Sequence, residues 1–225
     1  MKKILFIISI ALMLCFSINI KAQDPICQWA EKIGGTNSDN TRSITTDANG
    51  NVYVAGQFCS STLTFNNGIT FSNSGDFDIY IAKYNNSGVC QWAEKIAGAN
   101  FDEVKSIITD ANGNVYIAGS FSFGYDTLTF NNGITLSNSG SSDGYIAKYN
   151  SSGVCQWAEK IAGISWDHAN SIITDSNGNV YVAGSFESAT VAFNNGITLS
   201  ISGLLCDGYI AKYNSDGVCQ WAEKI

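Results

Sequence analysis

A seven-residue segment, Cys-Gln-Trp-Ala-Glu-Lys-Ile, occurs four times in this chain of 225 residues and constrains its fold more than any other feature. Self-similarity at a fixed period of this length is typical of repeat architectures, in which each unit buries its apolar face against the next. The sequence therefore predicts a repeat protein. The tryptophans of the four copies are Trp29, Trp92, Trp157 and Trp221, which lie 63, 65 and 64 residues apart.

The stretch between two tryptophans reads as short strands joined by tight turns. Each unit has Asp, a small residue, Asn and Gly between two apolar runs, in the first unit at 47–50 between 43–46 and 52–56. Asn-Gly in this setting predicts a β-hairpin with a type I′ turn, because that turn needs φ > 0 at both central residues. The turn glycines of the three units are Gly50, Gly113 and Gly178.

A second hairpin follows in every unit, at 62–72, 127–137 and 190–200, and no stretch shows helical periodicity. Leaving that inserted hairpin aside, each unit provides four short antiparallel strands. Such a sheet cannot bury both faces alone, so units must stack, as the blades of a β-propeller do. The prediction is an all-β partial propeller with blades at about 34–96, 97–161 and 162–225, and a tryptophan wedged between successive blades.

Three stretches carry a resemblance to a known family. Residues 109–121 read Thr-Asp-Ala-Asn-Gly-Asn-Val-Tyr-Ile-Ala-Gly-Ser-Phe, residues 143–153 begin Asp-Gly-Tyr-Ile-Ala-Lys-Tyr, and residues 156–163 begin Gln-Trp-Ala-Glu-Lys-Ile. Together they resemble the SBBP-type β-propeller repeat of secreted bacterial proteins, over essentially all of 27–225. The resemblance implies a propeller scaffold and an exported setting, and it carries no catalytic residue over to this chain.

The count of segments predicts an unpaired end. Four tryptophan segments accompany three sets of the other strands, so the first copy, at 27–33, is a leftover outer strand. Three blades are also fewer than the usual four to eight. The sequence is therefore interpreted as the front part of a longer propeller, with closure by self-association through open blade faces as the alternative.

The N-terminus predicts export. Lys2 and Lys3 precede an apolar run at 4–20, and Lys21-Ala22 leads into polar sequence, which is the pattern of a secretory signal peptide at 1–22. A membrane span is the rival interpretation, but the run is short for one. Leu14 before Cys15 argues against a lipid attachment site. The exported chain would be residues 23–225, secreted or at the cell surface.

Charge narrows the class of partner. Removing the three lysines of the predicted signal peptide leaves nine basic residues against nineteen acidic ones. An acidic chain with no basic stripe argues against nucleic acid or an anionic membrane as partner. An unknown protein or glycan remains as the expected partner.

Six cysteines remain after the predicted cleavage. Four occupy one repeated position, at Cys27, Cys90, Cys155 and Cys219, and equivalent positions in neighbouring blades should lie too far apart for a disulfide. They are interpreted as small buried apolar residues. The oxidation state of Cys59 and Cys206 stays open, and no spacing matches a zinc pattern.

The polar candidates favour structural roles. His168 occurs in one unit only and has no nucleophile motif beside it. The Asp-x-Asn-Gly turns have the alternating oxygens of a calcium loop but lack its later glutamate, so the aspartates are expected to cap their own turns. A second set of aspartates is expected to order the loops after the tryptophan segments: Asp39, Asp102 and Asp167. Three repeated lysines are expected to be paired or to extend toward solvent, and three tyrosines to pack: Lys83, Lys148 and Lys212, and Tyr53, Tyr116 and Tyr181.

The function that follows is a non-enzymatic, exported binding scaffold, with no catalytic, cofactor or metal site assigned. The near-identity of the units favours this class, because a catalytic site needs one unit to diverge. The alternative is an enzyme or cofactor-binding propeller whose active site lies in blades outside this sequence. A trefoil lectin is a third architecture, but its units are shorter and leave no surplus tryptophan strand.

Overall fold

The structure is a computed structural model that describes residues 26–122, 127–203 and 205–225. The predicted signal peptide and Cys15 lie outside these residues. Regular structure in the described part is β throughout, apart from one short 3-10 turn, Asn131–Gly133. No helix in these ranges is long and apolar enough to cross a bilayer.

Eighteen strands follow one another in the part of the chain that the structure describes. They are β1 (Asp39–Thr46), β2 (Val52–Phe58), β3 (Thr62–Thr64), β4 (Thr70–Ser72), β5 (Asp78–Tyr84), β6 (Cys90–Ile96), β7 (Phe101–Thr109), β8 (Val115–Ser122), β9 (Thr127–Thr129), β10 (Thr135–Ser137), β11 (Ser142–Tyr149), β12 (Cys155–Ile161), β13 (Asp167–Thr174), β14 (Val180–Phe186), β15 (Thr190–Ala192), β16 (Thr198–Ser200), β17 (Asp207–Tyr213) and β18 (Cys219–Lys224).

These strands form three four-stranded antiparallel sheets with one topology. The strand orders are β1-β2-β5-β6, β7-β8-β11-β12 and β13-β14-β17-β18, which we call blades 1, 2 and 3. Each tryptophan strand lies at the edge of its sheet, and β3–β4, β9–β10 and β15–β16 are the inserted hairpins. The predicted all-β class, with three repeated four-stranded blades, is confirmed.

Neighbouring blades pack face to face. We call the face of a blade that lies toward the preceding blade its front face and the opposite face its back face. The back face of blade 1, with Tyr53, Ala55 and Ile81, packs against Val104 and Ile107 of blade 2 in one buried cluster. The back face of blade 2 packs against blade 3 through Tyr116, Ala118, Ile146, Ala169 and Ile172. In the inner strands of blades 1 and 2, alternation puts β-branched and aromatic side chains on both faces of the sheet, and the side chains on both faces are buried.

The inserted hairpins join the blades at a further place. Ala97 follows blade 1 and pairs with Thr129 in the hairpin of blade 2, through backbone hydrogen bonds of 3.2 and 2.9 Å. Ala162 pairs with Ala192 of blade 3 in the same way, at 3.0 and 2.8 Å. Each hairpin therefore belongs to a junction between two blades as well as to its own blade.

The predicted type I′ geometry of the Asp-x-Asn-Gly turns is wrong. Gly50 has φ +76°, but Asn49 is not among the residues with positive φ, so only one central residue is left-handed. The amide of Gly50 donates to the carbonyl of Asp47 at 3.1 Å, and the amide of Asp47 donates to the carbonyl of Asn51 at 3.1 Å. The hairpin is thus a longer loop in which glycine follows the tight turn, as three- to five-residue loops do.

The first tryptophan segment, Cys27 to Ile33, forms no strand in the structure, so the predicted leftover strand needs correction. A strand forms only where a neighbouring strand supplies the partners for its backbone hydrogen bonds. No described strand forms such a hydrogen-bond ladder with this segment. Trp29 and Ile33 nevertheless pack on the front face of blade 1, where Trp29 stacks on Tyr84 with ring centroids 6.1 Å apart.

Candidate functional site

The repeated tryptophans dock on glycines of the following blade. A Cβ added at Gly153 would lie 2.9 Å from Trp92 Cδ2, and one added at Gly217 would lie 2.8 Å from Trp157 Cδ2. The indole Nε1 of Trp92 donates to the carbonyl of Ser151 at 3.1 Å, and Trp157 donates to the carbonyl of Ser215 at the same distance. Each ring therefore fixes the position of one blade on the next.

The other two tryptophans of the repeated segment, Trp29 and Trp221, lie at the two ends of the series of blades. Trp29 lies over Gly88, where an added Cβ would meet Trp29 Cδ2 at 2.7 Å, so it occupies on blade 1 the place that Trp92 has on blade 2. Trp221 packs edge-on against Tyr181 of its own blade, at 6.4 Å between centroids, and is 38% exposed.

The turn aspartates make the hydrogen bonds of a cap. Asp110 Oδ1 accepts from the amides of Asn112 and Asn114, both at 2.9 Å. Its Oδ2 accepts from Asn114 Nδ2 at 2.8 Å and from the hydroxyl of Tyr116 at 3.1 Å. Asp47 and Asp175 repeat this pattern. Both carboxylate oxygens are thus engaged within the turn.

The loop aspartates bind the linker that enters each blade. Asp39 Oδ2 accepts from the amide of Gly35 and from Ser60 Oγ, both at 2.6 Å. Asp102 Oδ2 accepts from the amide of Gly98 at 2.6 Å, and Asp167 Oδ2 from Ser188 Oγ at 2.7 Å. Burial raises the pKa of Asp39, but the hydrogen bonds from Ser60 and Gly35 outweigh it, so its pKa is lowered. Burial prevails at Asp167, whose pKa is raised.

A third set of aspartates was missed by the sequence reasoning. Asp78 is fully buried, and its Oδ2 accepts from Lys95 Nζ at 3.1 Å and from the amide of Ser74 at 2.7 Å. Asp143 with Lys160 and Asp207 with Lys224 repeat the pair, at 3.6 and 3.5 Å. The sequence contained a signal for these pairs. An aspartate lies at the first or second residue of the third strand of each blade, and a lysine recurs in each tryptophan segment.

These pairs are unequal in their electrostatics. Burial raises the pKa of Asp143 to about 6, against the amide of Ser139 and the charge of Lys160, and the nearby Asp167 adds to the rise. The pKa of Asp207 is instead lowered, first by its hydrogen bond from the amide of Ser202. Desolvation therefore outweighs the hydrogen bonds at Asp143, whereas the hydrogen bond from Ser202 outweighs desolvation at Asp207.

His168 lies at the junction between blades 2 and 3, beside Trp166, with 6.2 Å between the ring centroids. Burial, together with the charge of Lys105, lowers its pKa to about 4. The repeated lysines lie over tyrosine rings, 5.2 Å from the centroid for Lys83 on Tyr53 and 5.5 Å for the other two pairs. No serine or cysteine nucleophile bonds to His168 among the described hydrogen bonds.

The cysteines separate into two groups. Cys90, Cys155 and Cys219 are buried beside their tryptophans, whereas Cys27 and Cys206 are exposed and Cys59 is half-buried. All six are free thiols in the described part of the chain. Burial raises the pKa of Cys155 to about 12. No group of three or more His, Cys, Asp or Glu side chains suited to a metal ion occurs within the described ranges.

A groove of about 720 Å³ lies between blade 1 and the inserted hairpin of blade 2. Its volume lies within the usual range of small-molecule sites. Two clefts at the Asp-x-Asn-Gly turns are smaller, at about 220 and 150 Å³. The groove, which we call the hairpin groove, is lined mainly by Ser74, Lys95, Ala97, Thr129, Phe130 and Asn131.

The lining of the hairpin groove is more apolar than polar and is close to neutral in charge. The ammonium of Lys95 is balanced by Asp78 and also donates to the carbonyl of Ser72 at 2.7 Å. Asn131 holds the start of β12, accepting from the amide of Cys155 at 2.7 Å. At the next junction Ala192 replaces Thr129, so the hairpin groove is not an identical repeat.

Comparison with known protein families agrees with this geometry. The model of the family described as "SBBP: Beta-propeller repeat" matches residues 28–57 and 160–185. The two matched stretches include the Asp-Ala-Asn-Gly turn of the first repeat and the Asp-Ser-Asn-Gly turn of the third.

Two curated proteins are similar to this chain. One is an uncharacterized WD repeat-containing protein, L264, of Acanthamoeba polyphaga mimivirus, which is 28% identical over 88% of this chain. The other is the regulatory protein FlaEY of Caulobacter vibrioides, which is 28% identical over 69% of this chain. The chain spans only 16% of the length of each of these relatives.

Proposed function

We propose that this chain is an exported, non-enzymatic propeller scaffold that binds a protein or glycan partner at the cell surface. The observation that carries the proposal is the hairpin groove, which is roomy, open and close to neutral in charge, with apolar and polar groups in its lining. Apolar surface such as Ala97, next to hydroxyls such as that of the exposed Thr129, suits an uncharged ligand that has both apolar and hydrogen-bonding groups.

The use of the repeated polar residues supports a scaffold. Each of these aspartates bonds at least one carboxylate oxygen to an amide, hydroxyl or ammonium group of the fold, and Oδ1 of Asp78 and of Asp143, which make no bond, are buried away from solvent. A general acid or base needs a polar group left available to a substrate. The alternative, an enzyme or cofactor-binding propeller, would place its reacting groups in further blades.

The position of the groove supports binding by loops on a rigid frame. The hairpin of blade 2 and the linker after blade 1 form its walls, and the Ala97–Thr129 pairing fixes them to each other. Loops held by a scaffold are where binding residues concentrate. The acidic balance of the sequence again favours a partner other than nucleic acid.

Substitution inside the groove tests the proposal. Thr129 is exposed, and a Thr129→Arg variant would fill the groove without removing a buried group. The matched control is Ala192→Arg, at the same exposed position of the blade 3 hairpin. The wild-type protein and both variants would be applied to a glycan array and to a panel of purified extracellular matrix proteins.

We expect the wild type to bind a specific glycan or protein, Thr129→Arg to lose that binding, and Ala192→Arg to retain it. Unfolding temperatures should be alike in all three proteins. Equal loss in both variants, or binding that is indifferent to Thr129→Arg, would place the binding surface elsewhere. Turnover of a bound glycan by the wild type would contradict the non-enzymatic part of the proposal.

A further inference from the structure

The back face of blade 3 is uncovered. Ala183 is exposed there and Tyr181 only half-buried, whereas the same positions in blades 1 and 2, Ala55, Ala118, Tyr53 and Tyr116, are 0% exposed. Beside them Ile173 is 57% exposed and Trp221 is 38% exposed. An apolar face of this kind is uncommon on an isolated domain and marks a site of association.

The back faces of blades 1 and 2 are covered within this chain, and they show what kind of surface fits such a face. The front face of a following blade packs on each, with Ile107 on blade 1 and Ile172 on blade 2, which are 4% and 2% exposed. The amide of Ile107 also donates to Ser43 Oγ at 3.2 Å, and the amide of Ile172 to Ser106 Oγ at 3.3 Å. The occupant of the third back face should therefore be the front face of a blade of this same repeat.

Within the described residues, the front face of blade 1 is covered by no other blade. Ile44 of blade 1 corresponds to Ile107 and Ile172 but is 65% exposed. The carbonyl of Asn86 lies at the position of Ser151 and Ser215, whose carbonyls accept from the tryptophans of the blades before them.

Charge is compatible with a contact between the two open faces. Lys105 of blade 2 donates to Asn170 of blade 3 at 3.1 Å. By the same register, Asn170 would face Arg42 of blade 1 in a second copy, so no like charges meet. Thr41, however, takes the place of the apolar Val104 and Ala169, so the contact should be weaker than those inside the chain.

Trp29 already occupies part of that front face. It lies on Gly88, and Ile33 packs nearby, as Trp92 and Ile96 do on blade 2. Trp221 belongs to a paired strand, opposite Lys212, whereas the segment 27–33 lies in no ladder. Trp221 of a second copy would dock on the same site, Gly88, that Trp29 occupies. The segment 27–33 is the one that can be displaced, because it is not part of a hydrogen-bonded sheet.

We propose that the back face of blade 3 binds the front face of blade 1 in a second copy of the chain, with Trp221 of the first copy replacing Trp29 of the second on Gly88. The segment 27–33 is then a displaceable cover that limits this head-to-tail association. Such a contact is heterologous, so it closes into a ring if the rotation allows and otherwise extends. Two copies would bring six blades together, within the usual range for propellers. The inference does not depend on the proposed function.

The test uses two tryptophans from identical segments, for which opposite effects are expected. Trp29→Ala should strengthen self-association about tenfold, because removing a competing segment raises the fraction of molecules that can bind. Trp221→Ala should weaken it by about tenfold or more, since a buried tryptophan is a frequent hot spot. Sedimentation velocity over a wide range of protein concentration would measure both. Ile164→Ala, which removes a side chain 78% exposed in the linker between β12 and β13, is the control.

Circular dichroism would verify that each variant folds. Should Trp221→Ala unfold, Ala183→Glu places a charge on the same back face at an exposed position and should abolish association. The proposal is overturned if wild type and Trp29→Ala both stay monomeric, if Ala183→Glu has no effect, or if Trp29→Ala and Trp221→Ala weaken association alike.

Cysteine cross-linking tests the register. By analogy with the contacts of Ser43 and Ser106, Ser171 of one copy should lie beside Ile44 of the next. In a background with Cys27 and Cys206 changed to serine, a mixture of Ser171→Cys and Ile44→Cys proteins should form a disulfide-linked pair on oxidation. The double variant Ser106→Cys/Ile172→Cys, which should close within one chain, is the positive control. A cross-link in the control but not in the mixture contradicts the proposed register.

Discussion

Trp92 lies directly on the backbone of Gly153, so closely that a Cβ at position 153 would stand 2.9 Å from its ring. Gly153 also has φ +83°, in the region that favours glycine. Glycine is therefore required at position 153 for two reasons. The turn needs a positive φ there, and the indole of Trp92 from the preceding blade leaves no room for a side chain.

Substitution separates these two requirements. We expect Gly153→Ala to lower the free energy of unfolding by about 2–4 kcal/mol, because left-handed strain and overpacking add. Gly133→Ala should cost only about 1 kcal/mol, since Gly133 has φ +77° but no atom within 4 Å of an added Cβ. Urea unfolding of both variants measures the difference. Equal costs would mean that the docked indole contributes nothing.

The cap of the Asp110 turn should contribute measurably to stability. Asp110→Ala removes the acceptor of two amides and leaves the buried hydroxyl of Tyr116 without its partner. We expect a loss of about 2 kcal/mol in the free energy of unfolding, with Asp110→Asn between that value and the wild type. Ser152→Ala, in an exposed neighbouring turn, should be nearly neutral. Thermal unfolding of the three variants decides this, and a neutral Asp110→Ala would contradict the capping role.

His168 should make the fold sensitive to acid. Its pKa of about 4 in the folded protein lies below the ordinary 6.5, so the unfolded chain binds more protons between these values. The stability that His168 provides is full above pH 6.5 and is lost as the pH falls toward 4. Asp143, with its pKa raised to about 6, acts in the opposite direction over the same range.

The variant His168→Asn isolates the histidine, since Asn40 occupies the same position in the first repeat. Relative to this variant, the wild type should lose about 1 kcal/mol of unfolding free energy between pH 7 and pH 5, after allowance for solvent screening. Urea titrations at the two pH values provide the comparison. A pH-independent difference between the two proteins would show that His168 does not titrate in this range.

Thiol reactivity should follow burial. At pH 8 we expect iodoacetamide to label Cys27 and Cys206 quickly and Cys90, Cys155 and Cys219 very slowly. The buried thiols are shielded, and burial raises the pKa of Cys90 and Cys219 to about 11, so little thiolate forms. Peptide mapping by mass spectrometry identifies each site, and labelling in urea is the control. Rapid labelling of Cys155 in the folded protein would mean that the junction opens readily.

The repeats made the architecture predictable, because four identical segments leave few ways to stack strands. The wedge position of Trp92 and Trp157 followed from the same pattern. The turn type did not, since Asp47 fixes the chain by bonding amides beyond the Asn-Gly pair. Nor could the sequence place the hairpin groove, which arises where a linker and an inserted hairpin meet across a blade boundary.

The docking of Trp92 on the next blade sets the length of sequence that can be inserted or deleted without breaking a contact between blades. Every junction joins a segment near the end of one repeat to a glycine late in the following repeat, so gain or loss of a whole repeat preserves every junction. Loss of a shorter piece that contains a docking glycine but not the tryptophan on it leaves that indole without its glycine. Recombination between near-identical repeats could therefore lengthen or shorten the array without any compensating substitution.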